Sequence, residues 1–305
     1  MTPGTVPAQG LPAALTAAAP ALSRATVDRD AETRGDPDRL EREWPTARIL
    51  VVDHGTALVD GTDLVFVTAE QAPEGDRFYL GRDHGGPFFA VSGPLPRRLG
   101  ARPMGLREVG ALLPDRDAGL LVHAVGLANW HATHVRCPRC GAPTVSTKGG
   151  SVRTCTVDGT DHFPRTDPAV IMLVTDGADR ALLGRQAVWP AGHFSTLAGF
   201  VEPGESAEQA VVREVAEETA VAVRDVRYVS SQPWPFPASL MLGFTAVADG
   251  DAVPFPQDGE LDDARWFTRA ELVAAGTWGD RAGTALPSAV SIAHYLISAW
   301  LFPPD

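Results

Sequence analysis

Residues 199–221 read Gly199-Phe-Val-Glu-Pro-Gly204-Glu205-Ser206-Ala-Glu-Gln209-Ala-Val-Val-Arg213-Glu214-Val215-Ala-Glu217-Glu218-Thr-Ala220-Val221. Ser206 with Gln209 three residues later is a capping-box arrangement, and Gly204 marks a turn ahead of it, so a helix is predicted from about Ser206 to Thr219. Ala207, Ala210, Val211 and Val215 supply its packing stripe. Glu214, Glu217 and Glu218 stand at i, i+3 and i+4 and so project from one face. They lie near the helix C-terminus, where the macrodipole disfavours negative charge. Three repelling carboxylates there call for a cation, and hard oxygen donors suit Mg²⁺ or Mn²⁺ with substrate phosphates completing the shell. The competing reading is a solvated acidic face; the dipole and the ordered glycine loop weigh against it.

The charge of the whole chain agrees. Its 305 residues hold 26 Lys+Arg and 38 Asp+Glu, a net of −12, and 44% of them are apolar, an ordinary globular balance. Residues 166–305 carry 19 acids and 8 arginines, a net of −11, which leaves −1 for residues 1–165. With Lys148 as the single lysine, the chain offers no basic track for duplex nucleic acid or an anionic membrane. No apolar run approaches the ~18–20 residues of a membrane helix. Three cysteines cannot build a disulfide framework, and a reducing, cytoplasmic setting fits them best.

Working outward, residues 1–35 are rich in Ala, Pro, Thr and Gly and read as a disordered tail. Leu11–Leu22 faintly resembles a signal h-region, but it lacks a basic flank and is broken by Pro12 and Pro20. Residues 36–132 form a small α+β domain: β-like runs at 48–52, 63–67, 77–81 and 88–92 precede helical stretches at 106–113 and 118–134. Residues 133–165 are a Gly/Cys/Thr-rich insert. Residues 166–305 alternate strands and helices, an α/β layered domain ending in a helix over 288–300.

In the insert, Cys137-Pro-Arg-Cys140-Gly141 is half a zinc knuckle, and Cys155 follows at ribbon spacing. A second complete knuckle would place a cysteine at 158, where this chain has Asp158. The fourth ligand is open to Asp158, His162, Asp161 or water, or the position is unfilled. Such a Zn²⁺ would be structural, and a degenerate ribbon held by hairpin pairing alone is the plain alternative. His131, His134 and His193 have no nucleophile beside them and read as surface or core histidines.

The segment 199–221 resembles the Nudix box, G-x5-E-x7-R-E-U-x-E-E-x-G-U with U a bulky aliphatic. Gly199, Glu205, Arg213, Glu214, Val215, Glu217, Glu218 and Val221 match, and Ala220 replaces the last glycine. Ten residues on, Ser231-Gln232-Pro233-Trp234-Pro235-Phe236-Pro237-Ala238-Ser239 is similar to the SQPWPFPxS signature of the NADH pyrophosphatase family, bacterial members of which also remove NAD caps from RNA. Without that likeness it would read as a proline-rich loop with two aromatic surfaces, suited to a flat heterocycle or to sealing a core. The resemblance spans roughly residues 45–300 and implies an α+β N-terminal domain, a zinc ribbon and a C-terminal Nudix α/β/α sandwich.

For chemistry, the resemblance implies hydrolysis of the pyrophosphate of NADH or NAD⁺ to AMP and nicotinamide mononucleotide, and removal of NAD caps from RNA 5′ ends. It implies two or more Mg²⁺ or Mn²⁺ held by Glu214, Glu218, Glu260 and the carbonyl of Ala198. Glu217 faces the same cluster, and Glu205 and Arg213 form an orienting pair. Substrate contacts carried over are Phe163, Phe200, Ala293, the segment 231–239 and Arg107 from the first domain. A homodimer is the family expectation. The rival readings are a sibling Nudix hydrolase acting on another nucleotide diphosphate such as ADP-ribose, and a non-catalytic NAD-sensing scaffold.

Overall fold

The computed structural model describes residues 19–250, 252–257, 259–277 and 283–303. The chain divides into two compact units, Met1–Thr166 with Trp234–Ala238, and Asp167–Pro233 with Ser239–Asp305. In the first unit the strand Arg48–Asp53 is central to a seven-stranded sheet. It pairs in parallel with Gly86–Ser92, which pairs antiparallel with Asp76–Asp83; on its other side runs Thr56–Asp60. Burial is continuous from Ile49 to Val52, the pattern of a strand covered on both faces. The helix Asp115–Thr133 buries Leu120, Leu121, Val125 and Trp130 and packs on this sheet. Ile49, Tyr79, Phe89 and Val91 pack instead with Leu40 and Trp44.

The expected tail is corrected in part. Residues 1–18 lie outside the described residues, but residues 19–35 are ordered. Leu22 and Thr33 are buried. Arg24 pairs with Asp115 at 2.6 Å and donates to the carbonyls of Gly110 and Leu113. Asp30 caps a short helix, Ala31–Arg34. Composition concealed this order because the main anchor, Asp115, is 91 positions away along the chain.

The insert is a three-stranded antiparallel ribbon of Thr144–Thr147, Val152–Cys155 and Asp161–His162. Buried Arg153 ties it to the long helix, donating to Thr144 Oγ1 (2.7 Å), the Thr144 carbonyl (2.8 Å) and His131 Nδ1 (2.7 Å). A guanidinium only donates, so His131 accepts on Nδ1 and gives its Nε2 proton to the Gly150 carbonyl at 2.8 Å. His131 is a neutral core histidine whose pKa burial pushes down.

In the second unit a six-stranded sheet has the order Val223–Trp234, Ser239–Ala248, Asp167–Thr175, Arg180–Gln186, Leu261–Thr268, with Leu197–Phe200 also paired to Asp167–Thr175. Asp167–Thr175 and Ser239–Ala248 are parallel. Alternate residues of the central strand enter different cores, as strand periodicity requires. Val170, Met172 and Val174 pack with Ala210, Val211 and Val215 of the helix Ala207–Thr219. Ile171 and Leu173 pack with Ile292, Leu296 and Ile297 of the helix Ile292–Leu301. The result is the α/β/α sandwich, with its last helix starting four residues later than the sequence pattern suggests because Ser291 is the N-cap. Among the described residues no helix is long and apolar enough to cross a membrane.

Candidate active site and zinc ribbon

The helix Ala207–Thr219 starts where its capping box dictates: Ser206 Oγ accepts from Gln209 N–H (3.2 Å), and Gln209 Oε1 accepts from Ser206 N–H (2.8 Å). It ends at Ala220 with φ 60° and ψ 13°. The chain therefore keeps the left-handed turn that glycine would adopt freely, at about 1–2 kcal/mol of steric cost. Alongside runs Leu197–Phe200, a strand absent from the sequence reading, held by Ile171↔Ala198 and Val170↔Gly199 pairing. A Cβ on Gly199 would stand 1.9 Å from Glu214 Cδ and 2.0 Å from Oε1. The Glu214 carboxylate thus rests directly on the Gly199 backbone.

Arg213 organises the acids around it. It contacts Glu205 through Nη2 (2.6 Å) and Nε (3.2 Å), Glu214 through Nη1 (2.8 Å) and Glu217 through Nη1 (2.9 Å), and donates to the Phe200 carbonyl (2.9 Å). Burial raises the Glu214 pKa, opposed by Arg213. Hydrogen bonding to Arg213 lowers that of Glu205. A cleft of about 850 Å³ opens beside them, lined by Ala198, Gly199, Phe200, Glu214, Glu217 and Glu260 among others. Phe200 is 60% exposed, available to a ligand rather than packed in the core. Glu202, Gln186 and Gln257 also line the cleft. Sequence reading passed over them; Glu202, inside the loop that connects the box glycine to the helix, was the one with a visible signal.

Other expected site residues fall elsewhere. Glu218 is 3% exposed and lies outside the cleft lining, so the expected glutamate trio is split. Ala293 is 1% exposed within the core under the last helix, so its methyl packs with Ile171 and Leu173 rather than facing the cleft. Phe163 is exposed on the first unit. The nine residues 231–239 do not share one surface. Ser239 lines the cleft. Gln232, read as a polar contact, is fully buried and donates to the Val290 carbonyl at 3.1 Å. Ser231 and Pro233 end the strand Val223–Trp234 rather than a loop.

Trp234, Pro235, Phe236, Pro237 and Ala238 belong to the first unit. There the Trp234 and Phe236 rings meet edge-on at 4.9 Å, and the Arg107 guanidinium lies over both, 4.8 and 4.2 Å from their centroids. Asn129 Nδ2 donates to the Pro235 carbonyl at 2.9 Å.

In the ribbon, donor atoms of Cys137, Cys140, Cys155 and Asp158 all lie within 4.8 Å of one another. The two halves share one backbone design. Gly141 N–H donates to the Cys137 carbonyl (2.8 Å) and Gly159 N–H to that of Cys155 (3.1 Å), with both glycines left-handed. Asp158 thus occupies in the second turn the place of Cys140 in the first. Asp161 is engaged by Lys148 Nζ (2.9 Å) and Thr154 Oγ1 (2.7 Å), and His162 is outside the four-atom group. Three thiols and a carboxylate at this spacing fit tetrahedral Zn²⁺. The glutamates of the cleft fit hard divalent cations, though among the described residues they do not form such a preassembled group.

Residues 165–287 match the NUDIX domain, residues 45–130 the NADH pyrophosphatase-like rudimentary NUDIX domain, and residues 132–163 the NADH pyrophosphatase zinc ribbon domain. The chain is 42% identical over 295 residues to the NAD-capped RNA hydrolase NudC of Mycobacterium bovis, covering 92% of this chain and 94% of that protein. It is 42% identical over 224 residues to the NAD-capped RNA hydrolase NudC of Stutzerimonas stutzeri, covering 73% and 76%. The NAD-capped RNA hydrolase NUDT12 of Macaca fascicularis is 43% identical over 199 residues, covering 62% of this chain and 43% of that protein. With all three domains in order and Glu205, Glu214 and Glu217 of the box grouped around Arg213, the chain belongs to the NADH pyrophosphatase and NAD-capped RNA hydrolase family of Nudix hydrolases.

Proposed function

We propose that this chain hydrolyses the pyrophosphate of NADH and NAD⁺ to nicotinamide mononucleotide and AMP, and removes NAD caps from RNA 5′ ends. The observation that carries the reading is the Arg213 hub with Glu205, Glu214 and Glu217 beside a cleft of nucleotide size, in a chain 42% identical over most of its length to an NAD-capped RNA hydrolase. Glu214, Glu217, Glu218, Glu260 and the Ala198 carbonyl are the residues that would hold Mg²⁺ or Mn²⁺. Glu218 is included because it sits one turn from Glu214 on the same helix. Divalent cations bound there supply charge neutralisation of the diphosphate and activation of water.

The chain's own groups do the positioning. Arg213, fixed by Glu205, aims the Glu214 and Glu217 carboxylates. Phe200 offers its exposed ring to a base. Water adds to one phosphorus, the bridging P–O bond breaks, and Glu217, with its side chain 54% exposed, takes the proton released. Arg107, Trp234 and Phe236, which cluster within the first unit, are kept as substrate contacts on the family likeness. We assign Cys137, Cys140, Cys155 and Asp158 to a structural Zn²⁺, and we place the enzyme in the cytoplasm as a homodimer on family grounds and cysteine usage.

Product analysis after incubation with NADH, NAD-capped RNA and ADP-ribose, with Mg²⁺ and Mn²⁺ in parallel, tests the assignment. Nicotinamide mononucleotide and 5′-monophosphate RNA are the expected products, with ADP-ribose turned over more slowly. Glu217→Gln and Glu218→Gln are each expected to lower kcat by about 100-fold or more. Wild-type turnover in both variants would remove the catalytic assignment.

A further inference from the structure

Charge counting finds no basic track in the first half of the chain, yet the fold gathers one there. A cavity of about 560 Å³ in the first unit is lined by Arg34, Trp44, Arg77 and Lys148, with the Thr147 and Ser146 segment alongside. Glu41 is the single carboxylate in its lining. Lys148 is the only lysine of a chain whose net charge is −12.

The cations are weakly compensated. Lys148 Nζ lies 2.9 Å from Asp161, but with the two side chains 52% and 33% exposed that ion pair contributes little and leaves the ammonium donors open to a ligand. Arg77 lies 3.7 Å from Glu41, but the two side chains are 49% and 76% exposed, where an ion pair contributes little. Its guanidinium is stacked on the Trp44 ring at 4.0 Å. Arg34 Nε is buried with no hydrogen-bond partner, and among the described residues no carboxylate lies within ion-pairing distance of its guanidinium. A buried N–H donor left in that state is destabilising until an acceptor reaches it. Arg34 also lies near Arg29, which adds like charge rather than relieving it. The volume suits a mononucleotide. Guanidinium and ammonium donors suit phosphate, and the Trp44–Arg77 stack presents planar surface for a base.

We propose that the cavity bounded by Arg34, Trp44, Arg77 and Lys148 binds a nucleoside phosphate, taken from a free nucleotide or from a single-stranded RNA chain. It contains none of the residues assigned to hydrolysis. The test is equilibrium binding to the full chain, with no added divalent cation, of two probes: ADP and a 5′-monophosphorylated single-stranded decaribonucleotide. The variant is Arg34→Gln with Lys148→Asn. Lys148 has φ 49°, and asparagine tolerates the left-handed region. Lys148→Arg is the charge-conserving control.

Saturable binding by wild type, weakened at least about tenfold in the double variant and retained in the control, is expected. NADH turnover should stay unchanged. Loss of ADP binding together with RNA binding identifies a free-nucleotide site; loss confined to the decanucleotide identifies an RNA contact. The proposal is overturned if neither probe binds saturably, or if the double variant binds both as wild type does. NADH turnover is read separately, so failure of the hydrolase assignment would be seen on its own.

Discussion

Gly199 has no room for a side chain, because the space a Cβ would take is filled by the Glu214 carboxylate. Gly199→Ala is therefore expected to leave the fold intact while displacing Glu214, with kcat/KM for NADH lowered on the order of 100-fold. Comparing kcat/KM with the urea midpoint separates the two effects; an active Gly199→Ala enzyme would show that Glu214 does not need this seat. Ala220 presents the opposite case. Its left-handed backbone is strained for a residue with a Cβ, so Ala220→Gly relieves about 1–2 kcal/mol. Part of that is offset by the greater freedom of glycine in the unfolded chain. A net gain of about 0.5–1 kcal/mol in urea unfolding is expected, and a loss of stability would contradict it.

At the scale of elements, the two turns of the ribbon share a backbone hydrogen bond and a left-handed glycine but differ in donor, sulfur at Cys140 and oxygen at Asp158. Cobalt substitution reads this difference directly. Asp158→Cys should strengthen the thiolate-to-cobalt charge-transfer band, and Asp158→Ala should weaken zinc retention by about tenfold or more. Bands identical across all three proteins would exclude Asp158 from the coordination sphere. Chelation of the metal is expected to loosen the ribbon, since metal binding supplies its folding energy.

The same elements show what a sequence conveys. The helix Ala207–Thr219 was legible because its cap, stripe and acidic face are written within 14 residues. Its neighbour Leu197–Phe200 was not, since four residues containing alanine and glycine carry no strand pattern and are held by pairing with Ala169–Met172. Gln232 was expected at the ligand because it belongs to the signature segment 231–239, yet it is buried. Its partner, the Val290 carbonyl, is 58 positions away. The box motif gave the chemistry of the glutamates and the Glu205–Arg213 pair, but not that Arg213 also holds Glu214 and Glu217, or that Glu218 is buried. Those are consequences of side-chain packing.

Across the whole molecule, acid sensitivity is expected to originate outside the acidic half. His123 on the long helix of the first unit has its pKa lowered from 6.5 to about 3, chiefly by burial and then by Arg29 and Arg34. Below pH 6.5 the unfolded chain takes up a proton that the folded chain refuses until about pH 3. Folding stability contributed by neutral His123 is thus complete above pH 6.5 and declines as pH falls through that window, by about 1.4 kcal/mol per pH unit. Burial lowers the pKa of His131 too, so it adds in the same direction. Unfolding midpoints at pH 7.5 and pH 5 should differ less for His123→Asn than for wild type; equal differences would clear His123 of the effect.

The tip Trp234–Ala238 counts with the first unit although both strands that lead into it count with the second. The polypeptide consequently passes from one body to the other three times, and no single peptide bond separates them. A fragment starting at Asp167 would carry the entire Nudix box, yet its Trp234 and Phe236 rings would lose the Arg107 guanidinium, and its Pro235 carbonyl the Asn129 amide. Two aromatic faces would be left bare at a hairpin end. Genetic modularity and physical modularity therefore do not coincide in this chain, and domain shuffling at residue 166 would yield a sticky half rather than a portable hydrolase.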